Sequence, residues 1–382
     1  MSTQTSNHKI NSLQGLRAIA FLGIFLAHSG IKKFGPAGAL GVSIFYILSG
    51  FVMIYSYYGK ERIQSTGLLN NLKFAWSKIR PLYPLHLLTT ALMLVFLIFG
   101  SEANTIPQII TKLVLNLLLI QEWFPLADAA INGVSWYLSV SLFCYFLFPW
   151  LLRAFEKIRK KRDAILILVL LIEFQFFIVL LASQVSTPAN DMNGWLTDNY
   201  TYWLSYKFPP IRLIDFLIGC DLGLLWKLSA SGANEERISS LRSNLCMIIA
   251  ICLALGAQFF VLSSFAAQNF LPNTNSHWWT TALVYSIPSC LVIWYTAREN
   301  NLFARFLSTD FMAKFGNLTR YAFLIHFTVF AYIAAVVRAI GGKAFYKSYG
   351  SYIKLVVGLI ITIILTLLWE HLSEGRKQEQ AN

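Results

Sequence analysis

The sequence predicts an all-α polytopic membrane protein: about ten transmembrane helices, one further re-entrant or interfacial segment, and both termini cytoplasmic. Three observations predict it. The 382 residues are 56% hydrophobic and 15% aromatic but only 13% charged, where a soluble chain carries about a quarter charged residues. Mean hydropathy is +0.57. Many apolar runs approach or exceed the ~18 residues of a spanning helix. They lack the apolar–polar alternation of barrel strands, which excludes a β-barrel.

Full spans are expected near 13–31, 40–58, 81–99, 134–152, 164–183, 211–228, 245–265, 279–297, 321–339 and 352–370. Residues 106–121 form an eleventh apolar stretch, shorter and interrupted by Lys112 and Asn116. Loop charge decides how to treat it. The loop 153–163, RAFEKIRKKRD, holds six basic residues; the loop 59–80 holds five, Lys60, Arg62, Lys73, Lys78 and Arg80. Both belong on the cytoplasmic side, and they share a side only if 106–121 does not cross fully. The loops carrying Lys227, Arg237 and Arg242, and Arg298, Arg305 and Lys314, then also fall inside. The loop 184–210, with Lys207 and several Trp and Tyr, falls outside and suits an external cap. Full crossing by 106–121, giving eleven spans, is the alternative. The chain reads as one integral membrane domain, 1–382, with 1–12 and 372–382 as cytoplasmic tails and a first helix that is retained, not cleaved as a signal.

The net charge of +13 follows from this topology and does not call for nucleic acid. The five cysteines, Cys144, Cys220, Cys246, Cys252 and Cys290, lie in apolar runs without C-x-x-C spacing. They read as small core side chains, not as metal or disulfide partners.

Within the first span, Arg17 and His28 stand eleven residues apart in LQGLRAIAFLGIFLAHSG. A helix separates them by roughly 16 Å along its axis. Ionisable groups at membrane depth cost about 2.5–3.5 kcal/mol each on insertion scales and are functional by default. Singly, Arg17 reads equally as an interfacial anchor and His28 as a packing histidine. Together they pair a phosphate-gripping guanidinium near the cytoplasmic rim with an imidazole able to take a proton from a hydroxyl near neutral pH.

Other polar groups divide less cleanly. Lys78 and Arg80 are ordinary cytoplasmic charge or extra phosphate contacts. His86 and His326 fall in the cytoplasmic halves of their helices and read as packing histidines. Arg212 and Asp215, three apart on one helix, form either a structural ion pair or part of an outer binding surface. Trp136 is either a belt residue or a stacking platform. Gly38, Gly41, Ser43, Ser49 and Gly50 favour close helix packing. Glu173 falls mid-membrane as a protonated acid, a partner of some base, or the mark of a polar cavity.

The motifs are recognisable in series. LQGLRAIAFLGIFLAHSG resembles the opening Arg-x10-His signature of the membrane-bound acyltransferase family 3. GALGVSIFYILSGF (38–51), KIRPLYPLH (78–86), SWYLSVSLFCYFLFP (135–149), PPIRLIDFLIGCDLG (209–223) and FGNLTRYAFLIH (315–326) resemble its later blocks in order. Two positions depart from it: Gln14 stands where the family often has Asp, and Ser141 where it often has Glu.

The resemblance implies transfer of an acyl group, commonly acetyl from acetyl-CoA, to a hydroxyl of an envelope or secreted carbohydrate or glycolipid, in a bacterial plasma membrane. It implies no permanently bound cofactor and no metal; the partners are acyl-CoA, the acceptor and lipids, with no nucleic acid. His28 and Arg17 become the catalytic pair. Arg17, Lys78, Arg80 and His326 become donor contacts, and Trp136, Arg212 and Asp215 lie on the acceptor side. The alternatives are a transporter or flippase without chemistry, and a degenerate member, to which Gln14 and Ser141 point.

Overall fold

The computed structural model describes residues 10–60, 66–100, 104–127, 129–183, 200–230, 239–262 and 284–379, with the single positions 63 and 185. The described helices run α1 (Asn11–His28), α2 (Gly35–Tyr57), α3 (Leu68–Ile79), α4 (Tyr83–Phe99), α5 (Ile106–Leu118), α6 (Trp136–Phe155), α7 (Lys161–Ser183), α8 (Pro209–Ala230), α9 (Ser240–Leu262), α10 (Ser286–Ala297), α11 (Leu302–Leu307) and α12 (Asp310–Glu379). No strand occurs among the described residues.

Five helical stretches are long and apolar enough to cross a bilayer: Lys32–Tyr57, Trp136–Phe155, Lys161–Ala182, Ser240–Phe259 and Asp310–Glu374. The pair α3 and α4, bent by 67°, makes a sixth if taken as one span. α1 and α8 carry too many polar side chains to meet that apolarity, yet both sit inside the bundle. α1 packs against α2 and α12, and α8 against α2 and α7. The expected spans 321–339 and 352–370 fall on two limbs of α12, which breaks at Gly342 (φ 78°). The limbs fold back on each other. Phe330 occupies the space beside Gly358, and Tyr321 Oη lies 3.4 Å from Ser373 Oγ.

Small residues set the closest approach in the bundle. A Cβ on Gly219 of α8 would overlap the carbonyl oxygen of Ile47, and one on Gly50 of α2 that of Phe216. Backbone therefore meets backbone, the arrangement small residues permit in apolar surroundings.

The two basic loops meet at one end of the bundle. Arg153 Nη2 donates to Ile63 O at 2.8 Å, and Tyr58 Oη to Ile158 O at 3.4 Å. α5 explains how. Its 13 residues extend about 20 Å, short of a hydrocarbon core of about 30 Å. It runs back along α4, from Asn104 beside Leu97 to Leu117 beside Tyr83, and stops inside the protein.

Asn116 makes that stop possible. Its Nδ2 donates to Lys112 O (2.8 Å) and Ala129 O (2.6 Å), while its Oδ1 accepts from Ile131 N (3.2 Å) and Ser135 Oγ (3.4 Å). His86 bonds the Asn116 carbonyl at 3.0 Å, so His86 is a packing histidine with a structural partner. Non-helical backbone at this depth is tolerated because protein groups satisfy it. The expected external cap falls largely on 186–199, outside the described residues. Its described end is tied down by Trp203 Nε1, which donates to Glu122 O at 3.1 Å.

Candidate active site

α1 carries both candidate catalytic residues because its polar positions interrupt an otherwise apolar helix. Ser29 closes it, with its amide on Phe25 O and its hydroxyl on Leu26 O. Gly30 then turns the chain at φ 90°, a conformation that favours glycine. His28 is thereby the last helical residue, at the mouth of the α1–α2 turn.

Two cavities flank α1. One, about 400 Å³, is lined by His28 together with Gly38, Trp136, Tyr202, Tyr206 and Phe323. The other, about 230 Å³, is lined by Arg17 with Gln14, Tyr137, Tyr145, Arg320 and again Phe323. Phe323 is the one α12 side chain common to both linings, so its ring stands between them. It packs against Tyr137, Phe45 and the His326 ring.

In the Arg17 cavity, Arg17 Nη1 donates to Gln14 Oε1 at 2.7 Å. Ser49 Oγ and Tyr145 Oη are 2.9 Å apart on the opposite wall. Arg320 adds a second guanidinium, and no Asp or Glu lines the space. Ser141 sits one turn from both Tyr137 and Tyr145 and hydrogen-bonds Tyr137. At Gln14, where the family often places a carboxylate, this chain offers a neutral amide in a cavity with two guanidinium groups. Such a pocket suits a polyanion.

In the His28 cavity the walls are aromatic. Burial pushes the Tyr202 and Tyr206 hydroxyls above the usual phenol range, so both stay protonated and able to donate. His28 Nδ1 lies 2.9 Å from His326 Nε2. The sequence grouped His326 with the donor contacts in the cytoplasmic half of its helix. The structure places it instead at the depth of His28, wholly buried and away from the Arg17 lining. The reason is register: α12 enters beside Gln14, where Gly316 abuts its carbonyl, and ten residues further on it has risen alongside His28.

Neither Lys78 nor Arg80 lines the Arg17 cavity. Lys78 Nζ bonds Tyr57 Oη at 2.5 Å and lies over the Tyr57 and Phe74 rings, which fixes α3 against α2. Arg80 is exposed at the α3–α4 bend.

Arg212 and Asp215 do pair, at 2.6 Å and wholly buried, but neither lines the His28 cavity. They act one layer behind it. The Arg212 guanidinium lies 4.0 Å over the Tyr206 ring and its Nε donates to Tyr206 O. Asp215 accepts from Gln175 at 2.6 Å, and Gln175 in turn accepts from Ser286. Glu173 lies in neither cavity; it is exposed on α7 beside Phe174 and Phe177. Among the described residues no group of three or more His, Cys, Asp or Glu is placed to hold a metal ion.

Sequence reading passed over Arg320, Phe323, Tyr202, Tyr206 and Gln175. Only Arg320 carried a usable signal, as a charge immediately before the apolar run that leads to His326.

The described helices form a membrane bundle with an arginine-lined cavity and a histidine-lined cavity beside one helix. The chain belongs to the acyltransferase family described by the Acyltransferase domain model (Acyl_transf_3), which matches residues 10–370. It is 30% identical over 242 residues to Acyltransferase MdmB of Streptomyces mycarofaciens, covering 57% of each chain. It is 24% identical over 340 residues to O-acetyltransferase OatA of Staphylococcus aureus, covering 84% of this chain and 50% of that one. The chain thus spans about half the length of the curated relatives it matches. No solved structure matches it.

Proposed function

We propose that this protein is an integral membrane O-acyltransferase that moves an acyl group, acetyl in the simplest case, from cytoplasmic acyl-CoA to a hydroxyl of a carbohydrate or glycolipid. In this reading the chain crosses a bacterial plasma membrane ten times with both termini inside. The observation that carries it is the pair of cavities meeting at Phe323, one cationic and one aromatic with a histidine. Arg17 and Arg320 grip the phosphates of the donor, and the thioester arm reaches past Phe323 toward His28. The sugar ring stacks on Trp136 and its neighbours, as apolar ring faces do on aromatic walls.

The step needs only groups on this chain. His28 takes the proton of the acceptor hydroxyl as its oxygen bonds to the acyl carbonyl carbon. The carbon–sulfur bond breaks, and the thiolate leaves with the proton returned by His28. General base catalysis of this kind is worth about 10²–10⁴ in rate. The relatives named as an acyltransferase and an O-acetyltransferase support the reaction class.

The test uses the full chain in lipid nanodiscs with radiolabelled acetyl-CoA and a panel of glycosides. Wild type transfers label to at least one glycoside; His28→Ala binds acetyl-CoA but transfers none. Unchanged transfer in His28→Ala overturns the mechanism, and absence of transfer by wild type across the panel favours a transport role instead.

A further inference from the structure

His28 and His326 are in direct contact, with Nδ1 of one 2.9 Å from Nε2 of the other. His326 lines neither cavity and is wholly buried. The rings of Phe21, Phe25, Phe323 and Phe330 surround it at 5.5–6.0 Å. It touches no substrate space, so it acts through His28 or is inert packing.

Its hydrogen-bond geometry decides which tautomer it holds. His326 Nδ1 lies 3.2 Å from the carbonyl oxygen of Ala322, one turn back on α12. A carbonyl only accepts, so Nδ1 carries the hydrogen, and in a neutral imidazole Nε2 is then bare. That bare Nε2 stands 2.9 Å from His28 Nδ1, which must donate to it. The ring centroids are 5.1 Å apart and the planes differ by 22°. This is the separation of an in-plane N–H···N bond, too wide for a face-to-face stack. With its hydrogen on Nδ1, His28 keeps a lone pair on Nε2, the edge left for the cavity that His28 lines.

We propose that His326 is the positioning residue of this site: one N–H···N bond from His28 Nδ1 fixes the His28 tautomer and aims its bare Nε2 at the acceptor hydroxyl. The second nitrogen of a working histidine is commonly fixed by a carbonyl or carboxylate. Here a neutral imidazole in a phenylalanine box does so, adding no net charge to an apolar wall. The proposal rests on the acyltransferase reading above.

The test separates the two. His326→Leu removes the acceptor and keeps an apolar side chain; His326→Gln restores an acceptor oxygen near the position of Nε2. His326→Leu should lower kcat about 10²-fold, with KM for acetyl-CoA and for the glycoside unchanged, and His326→Gln should recover most of the loss. Nitrogen spectra of histidine-labelled wild type, with the His28 signals assigned by their loss in His28→Ala, should show His28 protonated at Nδ1. That measurement does not depend on any His326 variant folding.

His28 protonated at Nε2 in wild type overturns the proposal. So does full kcat in His326→Leu, a loss confined to KM, or a Gln variant no better than Leu, each with His28→Ala inactive. An active His28→Ala overturns the acyltransferase mechanism itself.

Discussion

Gln14 Oε1 accepts a hydrogen bond from Arg17 Nη1 at 2.7 Å, three residues along the same helix. An amide at this position orients the guanidinium without cancelling its charge, so Arg17 and Arg320 both keep their attraction for an anion. Gln14→Asp should replace that bond with an ion pair and raise the KM for acetyl-CoA about tenfold, equivalent to about 1.4 kcal/mol. The kcat should hold. The difference should shrink at high ionic strength, because screening weakens partly exposed charge pairs. Steady-state kinetics at two salt concentrations checks this; an unchanged KM removes Arg17 from the donor site.

Phe323 lines both cavities, and in the proposed reaction it is the partition between the thioester and the acceptor space. Phe323→Ala should join the two and admit water to the thioester. Thiol release from acetyl-CoA without any acceptor should rise several-fold while transfer to glycoside falls. The assay is free-thiol titration with and without acceptor. A variant equally tight without acceptor would show that the barrier lies elsewhere.

Trp136 forms part of the aromatic wall of the His28 cavity and contacts Tyr206, with centroids 5.7 Å apart. Losing an aromatic stacking partner costs about 1.5 kcal/mol, which is about tenfold in affinity. Trp136→Ala should raise the acceptor KM by that factor without moving the donor KM, and Trp136→Phe should restore most of it.

Asp215 holds the Arg212 guanidinium in a fully buried pair. Removing one partner of such a pair costs about 3–5 kcal/mol, because the other charge is stranded. Asp215→Asn should therefore lower the melting temperature in detergent markedly. Arg212→Met combined with Asp215→Leu should recover stability. Acceptor affinity should stay low in the double variant, since Tyr206 loses the guanidinium that lies 4.0 Å over its ring. Thermal melts set beside acceptor KM values separate the two effects.

The helical membrane bundle was legible because it rests on apolar run length and loop charge, which are local. The expectation that 106–121 does not cross fully came from two basic loops that needed the same side, and in the structure Arg153 of one loop meets Ile63 of the other. His28, Arg17 and Trp136 were legible as unusual groups in apolar runs. The partners were not, because they are joined across hundreds of residues: His326 lies 298 positions from His28. A depth inferred from span boundaries put His326 among the donor contacts; the register of α12 against α1 puts it beside His28. Lys78 misled for the opposite reason, since its charge was visible and its bond to Tyr57 was not.

The Asn116 junction has a consequence for biogenesis. α5 carries Lys112 and Asn116, and the groups that satisfy Asn116 on its far side, at Ala129, Ile131 and Ser135, are synthesised later. The hydrogen bonds of Asn116 are therefore completed only once residues 129–135 have followed α5. A nascent chain stopped before Ser135 should leave α5 more open to a water-soluble cysteine label placed on it than the full chain does.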